Sequence, residues 1–253
     1  MKESQVIIER IRRVNEHYHH LDLAVDEWLC QIKPGQSLLA RATDSWDPYL
    51  REHWWPVSVG PNRLTVERPA AFRYEPGQVV SVLGLVGEPY RYRKTLRNVL
   101  LLAYDTPPTP LLMSITWLLN NKISVTLVLL GSAIGYKTEH LPPEVEIIKG
   151  KNGKADDYKE ALTWPNAVLT AGWADQIFAV VAQDDEMLRF KRIWSLFGEL
   201  RADIPKNYLF GVFQPVQPCG VGACQACYVQ TQQGLTSICV EGPSLDLALV
   251  KLP

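Results

Sequence analysis

Four of this chain's five cysteines, Cys219, Cys224, Cys227 and Cys239, fall in one short stretch: Cys-Gly-Val-Gly-Ala-Cys-Gln-Ala-Cys, eleven further residues, then the last cysteine. Three sulfurs on one tight loop must turn toward a common centre, while a fourth arrives from elsewhere in the fold. A gap of four residues, then two, then a distant ligand is the spacing with which plant-type [2Fe–2S] clusters are held. Gly220 and Gly222 allow positive backbone dihedrals and remove side chains, so main-chain N–H groups can approach the cluster's sulfides. Two short strands, Cys227–Thr231 and Leu235–Cys239, joined through Gln232-Gln233-Gly234, form an expected hairpin that returns Cys239 beside Cys227. Zinc or a pair of disulfides are the competing uses. Zinc ordinarily takes paired Cys-x2-Cys units or Cys/His mixtures, and no histidine follows residue 140. Disulfides suit small secreted chains, and this one has 253 residues. An iron–sulfur cluster is the stronger reading, with zinc the alternative.

Composition narrows the rest. Lys and Arg number 26 against 27 Asp and Glu, so no basic surface recommends nucleic acid. The longest apolar stretches, Val99–Ala103, Leu111–Leu119 and Ile123–Leu130, fall short of the roughly 20 residues a membrane span needs. The N-terminus, Met-Lys-Glu-Ser-Gln, runs straight into an alternating strand pattern without an apolar leader. A cytoplasmic protein is expected, where thiols stay reduced for metal. Cys30, in the apolar strand context Trp28–Ile32, reads as a buried, inert thiol.

Two rhythms precede the cysteines. Val6–Ile11, His19–Val25, Ser37–Ala42, Pro56–Val59, Arg63–Glu67 and Val79–Leu83 are short strands punctuated by Pro-Gly and Gly-Pro-Asn turns, which predicts a small antiparallel barrel over 1–96. From 97 to 210 strands alternate with helices, which predicts a parallel sheet with covered faces. Its strands are expected at Val99–Ala103, Ile123–Leu130, Val145–Ile148, Ala167–Thr170 and Tyr208–Phe213. Its helices are expected at Pro110–Leu119, Ala155–Leu162, Asp175–Gln183 and Asp184–Leu200, the last with a stripe of Leu188, Ile193, Trp194 and Phe197. Residues 211–253 form the cysteine domain.

Barrel, α/β domain and [2Fe–2S] domain in that order resemble one branch of the ferredoxin reductase-like flavoproteins. The nearest likeness is the electron-transfer subunit of NAD-linked dihydroorotate dehydrogenase. Cys219–Cys227 resembles that family's cluster loop, Cys239-Val-Glu-Gly-Pro243 its closing Cys-x-x-Gly-Pro, and Gly84-Leu-Val-Gly87 its Gly-Pro-Leu-Gly. The resemblance implies FAD against the barrel, NADH on the α/β domain, and a cluster that passes electrons to a partner. That partner is a separate catalytic dehydrogenase subunit, a flavin-bearing barrel enzyme that oxidises dihydroorotate in pyrimidine biosynthesis. A (β/α)8 barrel of roughly 250 residues does not fit beside three such domains, so the oxidation site is expected on another polypeptide.

The departures shape the functional expectation. The family's flavin motif, Arg-Pro-x-Ser after Asp-Pro-x-Leu, is matched by Asp47-Pro-Tyr-Leu50 and then by Pro56, Val57 and Ser58, but Trp55 stands where the arginine belongs. An indole cannot neutralise a pyrophosphate as a bidentate guanidinium does, so FAD at Pro56, Val57 and Ser58 stays open. The glycine-rich turn expected after the first α/β strand is replaced by Ala103-Tyr-Asp-Thr-Pro-Pro-Thr-Pro-Leu111. Its prolines remove N–H donors and Asp105 repels phosphate, so pyridine nucleotide is not expected in the usual mode. A Cys-Gly-Pro segment of the nicotinamide pocket becomes Ala171-Gly172-Trp173, and Gly131–Gly135 reads as a turn. His17, His19 and His20 read as a solvated strand face, with no carboxylate or cysteine at a matching spacing. No residues stand out as acid–base catalysts. Two functions follow: single-electron transfer through the cluster between a flavin and a partner protein, or a non-enzymatic docking subunit whose cluster braces the fold.

Overall fold

A single residue, Trp55, separates strand β4 (Glu52–Trp54) from strand β5 (Pro56–Gly60), yet these are the two outer strands of one seven-stranded antiparallel sheet. A sheet whose opposite edges are covalent neighbours must curl until they meet. The computed structural model, which describes residues 1–43, 49–151 and 161–253, shows this curled half-barrel at the N-terminus. Its other strands are β1 (Lys2–Arg13), β2 (Tyr18–Ala24), β3 (Ser37–Ala42), β6 (Arg63–Pro69) and β7 (Val79–Val86), in the order β4-β3-β7-β1-β2-β6-β5. Alternate residues face inward, as a pleat requires: Val6 and Ile8 of β1 are buried with Leu21, Leu38, Trp54, Leu64 and Val80, while Ile7 points out.

A second sheet runs β10-β9-β8-β11-β12-β15, its last strand being Ser244–Asp246. Strands β8 (Asn98–Tyr104), β9 (Ser124–Leu130), β10 (Glu146–Lys149), β11 (Gln176–Val181) and β12 (Leu209–Val212) are parallel. Near-continuous apolar strands follow, because both faces are covered. Strand β8 shows how. Val99, Leu101 and Ala103 pack with Leu111, Leu112 and Ile115 of helix α1 (Thr109–Asn120) on one face. Leu100, Leu102 and Tyr104 pack with Phe190, Ile193 and Phe197 of a helix over Glu186–Leu200 on the other.

Two elements of this domain exchange identities relative to the sequence expectation. Ala167–Trp173 is helix α2, not a strand, and Gln176–Val181 is the buried central strand β11, not a helix. The stretches are short and apolar, and at such lengths periodicity does not separate strand from helix. Pairing decides: Gln176–Val181 slots between β8 and β12, where only an extended segment satisfies both ladders. Helix Glu186–Leu200, α3, buries Phe190, Ile193 and Phe197, whereas Leu188 of the expected stripe is exposed. Cys30 sits in a 3-10 helix, Glu27–Gln31, rather than a strand, and is half-buried. The helix expected at 155–162 falls almost wholly outside the described residues.

The cysteine segment is stitched to both sheets. Hairpin β13 (Tyr228–Thr231) and β14 (Gly234–Ser237) leads into a short helix α4 (Ile238–Glu241), and β15 (Ser244–Asp246) then pairs antiparallel with β12. Among the described residues no helix is long and apolar enough to cross a membrane.

The start of α3 carries a pH-dependent element. Burial pushes the Glu186 carboxyl up to about 7, against the opposing pull of the Gln214 N–H donated to its Oε1 at 2.7 Å. The unfolded chain releases this proton near the ordinary value of 4.5. Between those values the folded state holds the extra proton, so stability falls as pH rises from about 4.5 to about 7 and then levels. Glu186→Gln is expected to match wild type in acid and to exceed it by about 1–3 kcal/mol above neutrality. Thermal melts across a pH series check this, and a pH-independent difference contradicts it.

Candidate functional site

The cysteine loop coils because three of its residues, Gly220 (φ 67°), Gly222 (φ 75°) and Gln225 (φ 61°), adopt the left-handed conformation. Two of those positions are glycines, which take it without strain. The turns aim backbone donors at sulfur: the Gly222 N–H donates to Cys239 Sγ at 3.1 Å, and the Cys224 N–H to Cys219 Sγ at 3.5 Å. Across the hairpin the Ile238 N–H donates to the Cys227 carbonyl at 3.1 Å, which brings the start of α4 beside Cys227. Cys239 therefore sits in the first turn of a helix rather than at a strand end. Ser237, which the spacing argument overlooked, places Oγ 3.7 Å from Cys227 Sγ and 3.5 Å from Cys239 Sγ. Its hydroxyl bridges two thiols that lie twelve residues apart in sequence. Its only sequence signal was its place two residues before Cys239.

Exposure grades across the four sulfurs. Cys227 and Cys239 are buried, Cys219 is half-buried and Cys224 is exposed. Cys219 and Cys239 differ in ionisation. Burial opposes ionisation of the Cys219 thiol, yet backbone N–H groups of Val221, Cys224 and Ala223 bring it down to about 6. Burial pushes Cys239 up to about 11, despite donors at Ser237 and Gly222. Soft thiolates ringed by main-chain N–H groups are the donor set that an iron–sulfur cluster takes, and these residues fit one. Exposed apolar side chains, Val216, Val221, Leu235 and Val240, surround the loop.

The loop is also seated on the half-barrel. A side chain at Gly220 would meet Leu39 Cδ1 at 3.0 Å and Met1 Sδ at 3.1 Å. The Gly87 N–H, at the end of the Gly84–Gly87 turn, donates to the Cys239 carbonyl at 3.1 Å. Gly222 is confined as well, since an added Cβ would lie 3.1 Å from Val240 Cγ2 at a φ that L residues rarely adopt. Gly222→Ala is therefore expected to lower retained iron and acid-labile sulfide to roughly half or less, at a backbone cost of about 1–2 kcal/mol. Iron and sulfide assays on purified protein check it; unchanged stoichiometry contradicts it.

The flavin edge is built differently. Pro56 and Val57 are buried on β5, Val57 in the same core as Leu111, Leu112 and Ile115 of α1. Ser58 is exposed at the rim of a cavity of about 270 Å³ that it shares with Val57, Arg12, Thr116 and His140. Trp55 is buried in the core beside α1, its ring 4.5 Å from that of His53. Burial, with Arg68 adding to it, brings His53 down to about 4, so it supplies no positive charge at neutral pH. Nearby arginines are engaged: Arg51 donates to the Ser81 carbonyl and Glu3, and Arg68 to Tyr74 and Glu52. These residues fit a flavin at its ring end, where Ser58 stands open. The guanidinium that lines the same cavity is that of Arg12, which is paired with Asp22 at 3.0 Å.

A third feature lies at the topological switch point of the parallel sheet, between β8 and β11, where open α/β sheets bind nucleotides. Asp105, left-handed at φ 57°, accepts the Ser132 N–H at 2.9 Å and pairs with Arg189 of α3. Arg189 also donates to Asp184 at 2.9 Å and lies over the Tyr104 ring. A Cβ at Gly131 would lie 2.0 Å from Asp105 Oδ1, which explains why glycine opens the 3-10 turn Gly131–Gly135. The crevice mouth thus carries the chain's own carboxylate and guanidinium, paired with each other.

Residues 218–251 match the family described as the iron–sulfur cluster binding domain of dihydroorotate dehydrogenase B. No curated protein matches the sequence significantly. The fold is similar to a chain of an NADH-dependent reduced ferredoxin-NADP oxidoreductase studied for flavin-based electron bifurcation, at TM-score 0.71 and 16% identity, covering 98% of this chain and 90% of that one. It is also similar to the ferredoxin reductase of carbazole 1,9a-dioxygenase, at TM-score 0.60, 11% identity and coverage of 82% and 68%. The cytochrome b5 reductase domain of Ulva prolifera nitrate reductase aligns at TM-score 0.56 and 12% identity, covering 82% of this chain and 96% of that one. At these identities the likeness is one of fold. The chain has a ferredoxin reductase-like fold, and its residues 218–251 match the family model of the iron–sulfur cluster binding domain of dihydroorotate dehydrogenase B.

Proposed function

We propose that this protein is an electron-transfer subunit that passes single electrons through a [2Fe–2S] cluster held by Cys219, Cys224, Cys227 and Cys239. The observation that carries the reading is that loop N–H groups reach Cys219 and Cys239 while Ser237 joins Cys227 to Cys239, with Cys227 and Cys239 buried and Cys224 at the surface. A cluster so placed faces the half-barrel through Gly87 and Gly220 and faces solvent through Cys224. Electrons enter on one side and leave on the other. Pro56, Val57 and Ser58 would hold FAD, which would supply the exchange between electron pairs and single electrons. Ser58 offers a hydroxyl to the ring edge, and the buried Pro56–Val57 backbone fixes where that hydroxyl stands.

The partner is a catalytic dehydrogenase subunit that holds the substrate site, and the location is cytoplasmic. The working division is 1–96 for the flavin-binding-like half-barrel, 97–210 for the α/β domain and 211–253 for the cluster domain. The last boundary cuts β12, which suits a cluster domain tied into the central sheet by β15. Pyridine nucleotide in the usual mode is disfavoured by the Asp105–Arg189 pair at the switch point.

Anaerobic purification followed by absorption spectroscopy and heat release of flavin tests the reading. The expected result is a dithionite-reducible cluster, with FAD in the supernatant. The paired crevice and Trp55 favour a second reading, a docking subunit whose cluster only braces the fold. Stopped-flow reduction by co-purified partner separates the two, since a brace exchanges no electrons on a catalytic timescale.

A further inference from the structure

Glu67 is a buried carboxylate in the seam between half-barrel and α/β domain, its side chain wholly shielded from solvent. Among the described residues, the ion-pairing groups beside it are two histidines. His20 Nε2 lies 3.3 Å and His140 Nε2 3.9 Å from Glu67 Oε2. The remaining contacts are neutral hydroxyls: Tyr136 donates to Oε2 at 2.7 Å and Thr109 to Oε1 at 2.6 Å. A buried carboxylate without a permanent cation calls for a compensating positive charge.

The geometry points to where that charge sits. His20 and Glu67 are register partners on β2 and β6, so their side chains leave the same face of the sheet side by side. His140 reaches the same spot from the loop after the Gly131–Gly135 turn, in the other domain. The three ligand atoms lie within 4.8 Å of one another. Ligands bound tetrahedrally at about 2.1 Å from an ion stand roughly 3.4 Å apart. The His20–Glu67 pair already has that separation, and His140 closes the set with a move of about 1.5 Å or less. Its ring is also hydrogen-bonded to the Lys137 backbone, the outer support that metal-ligating imidazoles ordinarily have. His20 and His140 line the 270 Å³ cavity, whereas Glu67 lies behind them, so an ion held by all three forms part of the cavity wall.

We propose that His20, Glu67 and His140 bind a divalent first-row transition cation, separate from the cysteine cluster, with its remaining coordination position open to the cavity. Two imidazoles and one carboxylate with an open position suit Zn2+ or Fe2+. The ion joins β2 and β6 to the α/β domain, so it also clamps the two domains.

Zn2+ is the probe. Protein with its cluster intact is exposed to about one equivalent of Zn2+, desalted, and assayed for zinc, iron and sulfide. Wild type is expected to retain about one zinc per chain with iron unchanged, and to melt higher for it. His140→Ala and His20→Ala are expected to weaken retention roughly tenfold or more, and His17→Ala to leave it intact. His140 is part-exposed, so its truncation is tolerated, and its iron content verifies the fold. Zinc at background in wild type, zinc retention indifferent to His20 and His140, or zinc gained only as iron is lost each overturns the proposal, the last because it places the ion on the cysteines. Failure here leaves the electron-transfer reading untouched.

Discussion

Replacing Cys239 with serine is expected to strip the protein of its iron, from about two atoms per chain to near zero. This thiol is buried, receives the Gly222 N–H and lies beside the Ser237 hydroxyl. Serine offers a harder and shorter donor that stays protonated, and it cannot reach the position a thiolate sulfur occupies. Metal ligation and folding are coupled in small metal-bearing segments, so the loss extends beyond the cluster. The loop's contacts to Gly87, Leu39 and Met1 are expected to loosen, and protease cleavage within residues 216–226 to rise. Cys30→Ser is the matched control. That thiol lies in the Glu27–Gln31 turn beneath the half-barrel, and its replacement leaves iron unchanged. Iron and sulfide assays on the two variants decide; a Cys239→Ser protein with full iron contradicts the ligand assignment.

Phe190→Ala is expected to cost about 3–5 kcal/mol and to lower the melting temperature by roughly 10 °C. Phe190 is fully buried on α3, with its ring 4.4 Å from that of Phe213 and close against Gly211 of β12. It fills the junction where β12 leaves the parallel sheet for the cysteine domain. Alanine leaves a cavity that flanking backbone, held in two sheets, cannot collapse into. Because Phe190 lies on α3, outside the cysteine segment, the spectrum of the cluster should persist in the folded fraction. Thermal melts followed both by far-ultraviolet circular dichroism and by cluster absorbance check this. A change under about 1 kcal/mol shows that the junction is not packed as described.

What the sequence disclosed follows from how local each signal is. Strands of the half-barrel were legible because alternation and Pro-Gly punctuation act over a few residues, as at Ser37–Ala42, and the cysteine spacing is itself a short-range pattern. The exchange of α2 and β11 was not legible, because Ala167–Trp173 and Gln176–Val181 are both short apolar runs whose state is set by neighbours distant in sequence. The same holds for the site at Glu67. His20 was read against its own strand, where no carboxylate stands at a useful spacing, while its partners come from β6 and from the loop at His140. Gly131 likewise looked like an ordinary turn residue until Asp105, 26 positions earlier in the chain, was found against its Cα. Spacing arguments reach ligands that share a loop. They miss those assembled by folding.

Electron paramagnetic resonance of dithionite-reduced, oxygen-free protein tests the central claim most directly. The account predicts a rhombic signal from a spin-one-half [2Fe–2S]+ centre, integrating to about one spin per chain with two irons and two labile sulfides. A protein that is silent under these conditions, or that holds zinc on its cysteines, contradicts it.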